Sequence, residues 1–168
     1  MSEKPPAPGG LALIESLVNT LDVERGTDRL GTPEGRAAFG LTEKDLPAAR
    51  ELRESLRAAL LAHAGHPAHR EVTPLGDLLA RAPLHVTVDE HDGSAALAPA
   101  DGRSLLSRVA GAVAEALVAG TWTRLKACEA ADCLWAYYDR SPAGRGRWCS
   151  MQVCGARAKM RRYRAKGT

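Results

Sequence analysis

The sequence predicts a mainly α-helical fold with a small β-hairpin, built as a helical N-terminal body followed by a compact cysteine-rich module of a hairpin and a basic helix. Three observations carry that prediction. Apolar residues recur at helical spacing through most of the first 120 residues, all four cysteines lie in the last 48, and the charge divides at the same place. Residues 1–120 hold 12 Lys+Arg against 17 Asp+Glu, a net of −5, whereas residues 121–168 hold 11 against 3, a net of +8. Six of the seven aromatic residues also lie in the basic part, with Phe39 the exception. The expected division is therefore a disordered segment over 1–9, a helical body over 10–120 and a small module over 121–168.

The elements follow in order. The Pro/Gly-rich start, Pro5-Pro-Ala-Pro-Gly-Gly10, has no element-forming pattern. From Leu11, the spacing of Ile14, Leu17, Val18 and Leu21 predicts a helix ending near Gly26. Thr32-Pro33 is an N-cap followed by a proline that a first helical turn tolerates, so a short helix is expected to about Phe39. Thr42 to Asp45 starts a long amphipathic helix to about His63, with Leu46, Ala49, Leu52, Leu56 and Leu60 on one side and Arg50, Glu51, Arg53, Glu54 and Arg57 between them. Gly65, Pro67 and Pro74 interrupt the pattern before a short helix carrying Leu75, Leu78 and Leu79. The period then changes to two at Leu84, Val86 and Val88, with His91-Asp92-Gly93 as the turn of a hairpin. From Ser104, Leu105, Leu106, Val109, Val113, Ala116 and Leu117 restore the helical period, which stops at Gly120.

At 45% hydrophobic and 26% charged, the composition is that of an ordinary soluble protein, although 30 of the apolar residues are alanine. No apolar run approaches the roughly 20 residues a transmembrane helix needs, and the N-terminus lacks the charged-then-apolar order of a signal peptide. The expected location is the cytoplasm, with no membrane partner. A disulfide framework is unusual there, so the cysteines call for another explanation.

Cys128, Cys133, Cys149 and Cys154 form C-x4-C-x15-C-x4-C. Zinc takes four ligands at tetrahedral angles and favours thiolates in structural sites. Each short loop can bring two sulfurs to one ion, and a hairpin between the pairs can return the second pair to the first. Leu134, Ala136 and Tyr138 alternate with Trp135, Tyr137 and Asp139 before Ser141-Pro-Ala-Gly144-Arg-Gly146 turns the chain towards Trp148. Two disulfides or four separate buried thiols would fit the same count. The symmetry of the pairs, the aromatic content and the absence of a signal peptide favour a four-cysteine zinc finger holding one structural Zn²⁺. Four thiolates leave no coordination position for water or substrate, so metal catalysis is not expected.

After Cys154 come six cations in ten residues with no acid among them. On a helix, Arg157, Arg161 and Arg164 form one basic face and Lys159, Arg162 and Lys166 another, leaving Ala156, Met160 and Tyr163 as a narrow apolar stripe expected to lie on the zinc hairpin. Cations also suit a helix C-terminus, and a solvated charged face remains an alternative. Guanidinium groups at helical spacing suit phosphates and the guanine edge, so Arg157, Lys159, Arg161, Arg162 and Arg164 are the expected nucleic-acid contacts.

Arg124-Leu-Lys126-x-Cys128-x4-Cys133 together with Trp148-Cys149-Ser150-Met151-x2-Cys154-Gly155-Ala156-Arg157-x-Lys159-x-Arg161 resembles the CGNR zinc finger. The body, through Leu17-Val-Asn-Thr-Leu21 and the 49–61 segment, is similar to the ABATE domain that precedes this finger in a group of bacterial stress-induced transcription regulators. The resemblance covers nearly the whole chain and implies a C-terminal DNA-binding finger with an N-terminal sensing or regulatory domain. Where the family motif reads Cys-Gly-Asn-Arg, this chain has Ala156 for the asparagine. Alanine has no hydrogen-bonding group, so a base or loop contact made by asparagine would be missing here.

Weaker signals are read conservatively. His63, His66 and His69 are expected as solvated loop histidines, His85 and His91 as hairpin residues, and Glu15, Asp22 and Glu24 as the wet side of the first helix. Trp122 is expected at the junction of body and finger, and Trp135, Tyr137, Tyr138 and Trp148 as finger core. No P-loop, GxGxxG, HExxH or GxSxG pattern is present, so no enzyme activity and no catalytic residue is expected. The resulting expectation is a DNA-binding transcription regulator whose body senses a small-molecule ligand or forms a homodimer. A protein-interaction module docking on an acidic partner, or a ligand-binding or enzymatic body with a structural zinc cap, are the alternatives.

Overall fold

The computed structural model describes residues 5–166. In chain order it contains α1 (Leu11–Val18), β1 (Leu21–Asp22), β2 (Thr27–Asp28), α2 (Pro33–Ala37), α3 (Leu46–Ala62), α4 (Leu75–Leu79), β3 (Leu84–Val88), β4 (Ala95–Pro99), α5 (Leu105–Val118), β5 (Leu125–Ala127), β6 (Ala136–Tyr138) and α6 (Ala156–Lys166). The strands form three separate antiparallel pairs, so the fold is mainly α with small hairpins.

Local sequence sets most of these boundaries. The Thr32 hydroxyl accepts from the Gly35 amide at 3.0 Å, and Pro33 follows at the first helical position. Thr42 and Asp45 form a capping box ahead of α3, and Ser104 accepts from the Ser107 amide at the start of α5. The predicted first helix ends early, at Val18, because Asn19 and Thr20 redirect the chain into the β1–β2 hairpin, whose Gly26 takes a left-handed φ of +65°.

Leu11, Ile14, Leu17 and Val18 of α1, Leu52, Leu56 and Leu60 of α3, and Leu105, Val109 and Val113 of α5 make the centre of the core. The same core continues across residue 120 into the expected finger, through Leu125, Ala127, Leu134 and Ala136. Of the N-terminal segment expected to be disordered, residues 1–4 lie outside the described residues, and residues 5–9 are mostly exposed but tied down at two points. Ala7 is buried and donates its amide to Glu15 Oε2 at 2.7 Å, while the Pro6 carbonyl accepts from Arg140 Nη2 at 2.7 Å.

The amphipathic reading of α3 also needs correction, because Arg53, Glu54 and Arg57 are buried. Arg53 bridges Glu54 Oε1 and Asp28 Oδ1, each at 2.7 Å, and Arg57 Nε reaches Glu54 Oε2 at 3.1 Å. Burial opposes the Glu54 charge, but Arg57, Arg53 and His69 outweigh it and hold the carboxyl below its usual range. A buried ionic cluster is tolerated only when its members are paired and their remaining hydrogen-bonding capacity is used. Here the spare Arg57 donors go to main-chain carbonyls, Leu134 at 2.6 Å and Val18 at 2.8 Å.

Candidate zinc centre and basic helix

The first cysteine pair sits on the end of the β5–β6 hairpin. Leu125, Lys126 and Ala127 pair with Tyr138, Tyr137 and Ala136, so the 128–135 loop carries Cys128 and Cys133. The loop is closed by the Cys128 amide donating to the Trp135 carbonyl at 2.9 Å and the Cys133 amide donating to Ala130 at 2.8 Å. Leu134 follows with a φ of +53°, unusual for a residue with a branched side chain. That conformation is held from both sides, by burial of the side chain and by Arg57 on its carbonyl. The strand expected over 134–138 is therefore real over 136–138, but its partner lies before the first cysteine. The hairpin carries one cysteine pair at its tip instead of separating the two pairs.

A loop over 139–148 brings back the second pair. Its scaffold is the buried pair Lys126–Asp139, at 2.9 Å. Asp139 also accepts from the amides of Ser141 at 3.0 Å and Gly146 at 2.6 Å, while Lys126 Nζ donates to the Gly144 carbonyl at 2.5 Å. Burial opposes the Asp139 charge, yet its donors at Ser141, Lys126 and Gly146 hold the carboxyl far below the normal carboxylate range. At Gly146 a Cβ would stand 2.9 Å from the Asp139 carboxylate, so the close approach needs glycine. This scaffold is not among the expectations from sequence; its local signal is a lysine inside β5 and an aspartate just after β6.

Cys149 precedes a single π turn over Met151–Gly155, whose start is capped by Ser150 accepting from the Val153 amide at 3.3 Å, and Cys154 lies within that turn. All four sulfurs lie within 4.8 Å of one another, with Cys133–Cys149 and Cys149–Cys154 each at 3.6 Å. Zn–S bonds of about 2.3 Å at tetrahedral angles require sulfurs about 3.8 Å apart, whereas a disulfide requires about 2.05 Å. The four cysteines are free, and their spacing and donor chemistry fit one structural zinc ion. The protonation chemistry agrees with that fit. Hydrogen bonds from Cys133 and Cys149 pull the Cys128 thiol down to about 2, and the same hydrogen bond to Cys128 pushes Cys133 up to about 12. Cys149 is pushed up by its hydrogen bonds to Cys128 and Cys133, and Cys154 by burial. Without a cation the cluster favours one thiolate among thiols, and a divalent ion is what allows all four to ionise together.

The expected apolar stripe of the basic helix is displaced. Met160 is 52% and Tyr163 77% exposed, and Ala156 is exposed as well, while Ala158 at 7% is the face that packs inwards beside Cys154 and Gly155. Arg157, Lys159, Arg161, Arg162 and Arg164 are all exposed on α6. Arg157 reaches Glu24 of the β1–β2 turn at 2.9 Å, and Arg161 lies 3.7 Å from Asp132. Ala156 has its side chain in solvent, so no buried partner in the described residues replaces an asparagine there.

The three histidines are not solvated loop residues. Each is half-buried and contacts a different group, so they do not converge on a metal. His63 Nδ1 lies 2.7 Å from the Leu125 carbonyl and the ring meets Trp122 edge-on, with centroids 4.8 Å apart. His66 lies 3.3 Å from Glu129, and His69 lies 2.9 Å from Glu54. Burial holds the His63 and His69 imidazoles below their usual pKa, a shift the Leu125 carbonyl and the Glu54 carboxylate only partly offset. Trp122 does lie at the junction of body and finger, as expected.

A family model for the CGNR zinc finger matches residues 124–167. A second, ABATE, described as "Putative stress-induced transcription regulator", matches residues 11–120. No curated protein matches the chain.

Proposed function

Since the chain belongs to the ABATE family and ends in a CGNR zinc finger, we propose that it is a cytoplasmic transcription regulator whose structural zinc, held by Cys128, Cys133, Cys149 and Cys154, positions α6 on DNA. The observation that carries the reading is that five cations of one helix, Arg157, Lys159, Arg161, Arg162 and Arg164, stand exposed directly after the ligand Cys154. Phosphates attract such a helix without sequence preference, and one or two arginines reaching base edges add selectivity. The ion pairs to Glu24 and Asp132 are exposed, so exchanging them for phosphate costs little. Zinc surrounded by four thiolates has no open position for water, which supports a regulator over a metalloenzyme.

For the body, dimerisation is better supported than ligand sensing. One cavity of the body, between Pro8–Leu11 and α5, holds about 120 Å³, well under the size of a usual small-molecule site. By contrast, the β3–β4 hairpin leaves Val86 (65%) and Val88 (62%) exposed, and Val86 stands directly across from Leu97 on the same face. A second copy of the chain would cover that face and give a two-fold protein matching two half-sites. No helix among the described residues is long and apolar enough to cross a membrane.

The test is fluorescence anisotropy of the zinc-loaded protein on a mixed duplex pool across a salt series, beside the R157A/R161A/R164A variant at equal zinc content. Wild-type binding should weaken with salt, and each lost phosphate contact should flatten the log–log slope by about 0.9. Undetectable wild-type binding at low salt would overturn the DNA reading and leave α6 to an acidic protein partner.

A further inference from the structure

Beside the zinc centre, a cleft of about 290 Å³ opens between three pieces of the finger: the 129–131 part of the cysteine loop, Arg147–Trp148, and the Ala158–Arg162 face of α6. Its walls have two chemistries. Ala130, Ala131, Ala158 and the Trp148 indole give an apolar, small-residue floor, while Arg147, Arg161 and Arg162 supply cations at the rim against the single carboxylate of Glu129. The Arg147 guanidinium lies over the Trp148 ring at 5.7 Å and is fixed there by its fork to Glu129 at 2.5 Å. It thereby presents a flat, oriented cationic surface to the cleft. Among the described residues the Arg161 guanidinium makes a long, exposed pair to Asp132, which a stronger anion can displace.

A flat apolar floor with a cationic rim suits a planar aromatic group that carries a phosphate. The volume lies at the small end of ligand pockets, which begin near 300 Å³. A stacked base pair cannot enter so small a cleft, whereas one unpaired base can leave its strand and stack on an aromatic or guanidinium plane. We infer that this cleft is a single-nucleotide subsite, which takes one unpaired base against Arg147 and Trp148 and its phosphate on Arg161 and Arg162. The inference rests on the reading of α6 as a DNA-binding helix, and it adds a preference for distorted, gapped or single-stranded DNA.

The test compares zinc-loaded full-length protein on an intact duplex, on the same duplex with a one-nucleotide bulge, and on free deoxyadenosine monophosphate. Ala131 lines the cleft from its exposed side, so Ala131→Leu fills the space without entering the core, and Ala158→Leu fills it from the helix. Zinc stoichiometry reports folding of both variants. The wild type should bind the bulged duplex about tenfold more tightly than the intact one, as expected for one stacked base. Ala131→Leu should abolish that preference and leave intact-duplex affinity unchanged. Equal binding of intact and bulged duplexes by the wild type would overturn the subsite while leaving the helix reading in place. Binding of neither duplex would overturn both. Competition by the free mononucleotide against the bulged but not the intact duplex, absent in Ala131→Leu, would assign the cleft to free nucleotides as well as to DNA.

Discussion

The two halves of the finger are held in different ways. The inner half, the β5–β6 hairpin with the first cysteine pair at its tip, is joined to the body through its strands. Leu125, Ala127, Leu134 and Ala136 lie in the same core as α1, α3 and α5. The Asn19 carboxamide, 117 residues away in sequence, pairs with Ala136 through both of its polar groups, at 2.9 and 2.7 Å. His63 and Arg57 fix two more carbonyls of the hairpin. The outer half, Trp148 to α6, meets the tip of that hairpin through a much smaller apolar cluster, in which Cys154, Trp148 and Cys149 pack with Cys128, Ala130 and Cys133. Its remaining ties to the rest of the chain include exposed ion pairs such as Glu24–Arg157. Loss of the ion is therefore expected to release the outer half while the strands of the inner half, packed in the core of the body, stay in place.

Zinc removal should expose the contrast most strongly. Structural zinc contributes on the order of 10 kcal/mol to small thiolate sites. Chelation, or Cys149→Ser, should therefore abolish hydrogen-exchange protection across 149–166 while amides of α1, α3, β5 and β6 stay protected. Loss of protection in β5 and β6 at the same rate would show that the two halves are one unit after all.

Arg57 tests the weld from the body side. Arg57→Met would leave Glu54 buried without one of its partners and two carbonyls without donors, a change that costs about 3–5 kcal/mol in comparable buried pairs. Urea unfolding of the zinc-loaded protein should show a lower midpoint at unchanged m-value, equivalent to a loss of unfolding free energy of that size. An unchanged midpoint would mean that the cluster closes over the substitution and that the inner half is held by its apolar contacts alone.

Acidification should act in two steps, both in the body and at its seam with the inner half. His63 and His69 have folded pKa values below the unfolded value of about 6.5, so the folded state binds fewer protons and stability declines as pH falls from about 6.5. Asp28, Glu54 and Asp139 have depressed folded values, so their contribution is intact above the unfolded value near 4 and is lost as pH falls below it. His63→Gln should reduce the difference in urea midpoint between pH 7.0 and pH 5.5. A variant that keeps the full wild-type difference would remove His63 from the weld.

The smallest effect is expected at the outer contact. Glu24→Gln frees Arg157 from an exposed pair, which should leave the unfolding midpoint where it is and raise affinity for duplex DNA modestly at low salt. A clear loss of stability would mean that the body holds α6 more firmly than the outer half's exposed ties imply.

Much of the site was legible because its signals are local. The paired C-x4-C spacings, the Thr42 and Ser104 caps, the two-residue period of β3 and the run of cations after Cys154 are each written within a few residues. The displaced stripe on α6 shows where local reasoning fails. Periodicity identifies Ala156, Met160 and Tyr163 as a face, but the way α6 is set on the finger, which no local pattern contains, turns Ala158 inwards instead.

By itself the sequence determined the ligand set, the helices and the segregation of charge, since each depends on the chemistry and spacing of near neighbours. Tertiary structure alone decided that Arg53, Glu54 and Arg57 are buried and that Asn19 belongs to Ala136. It also decided that the β5–β6 hairpin joins the core of the body, while all four cysteines gather in a separate small cluster at its tip. A polar side chain is buried only when distant groups complete its hydrogen bonds, and those partners meet only when the chain folds.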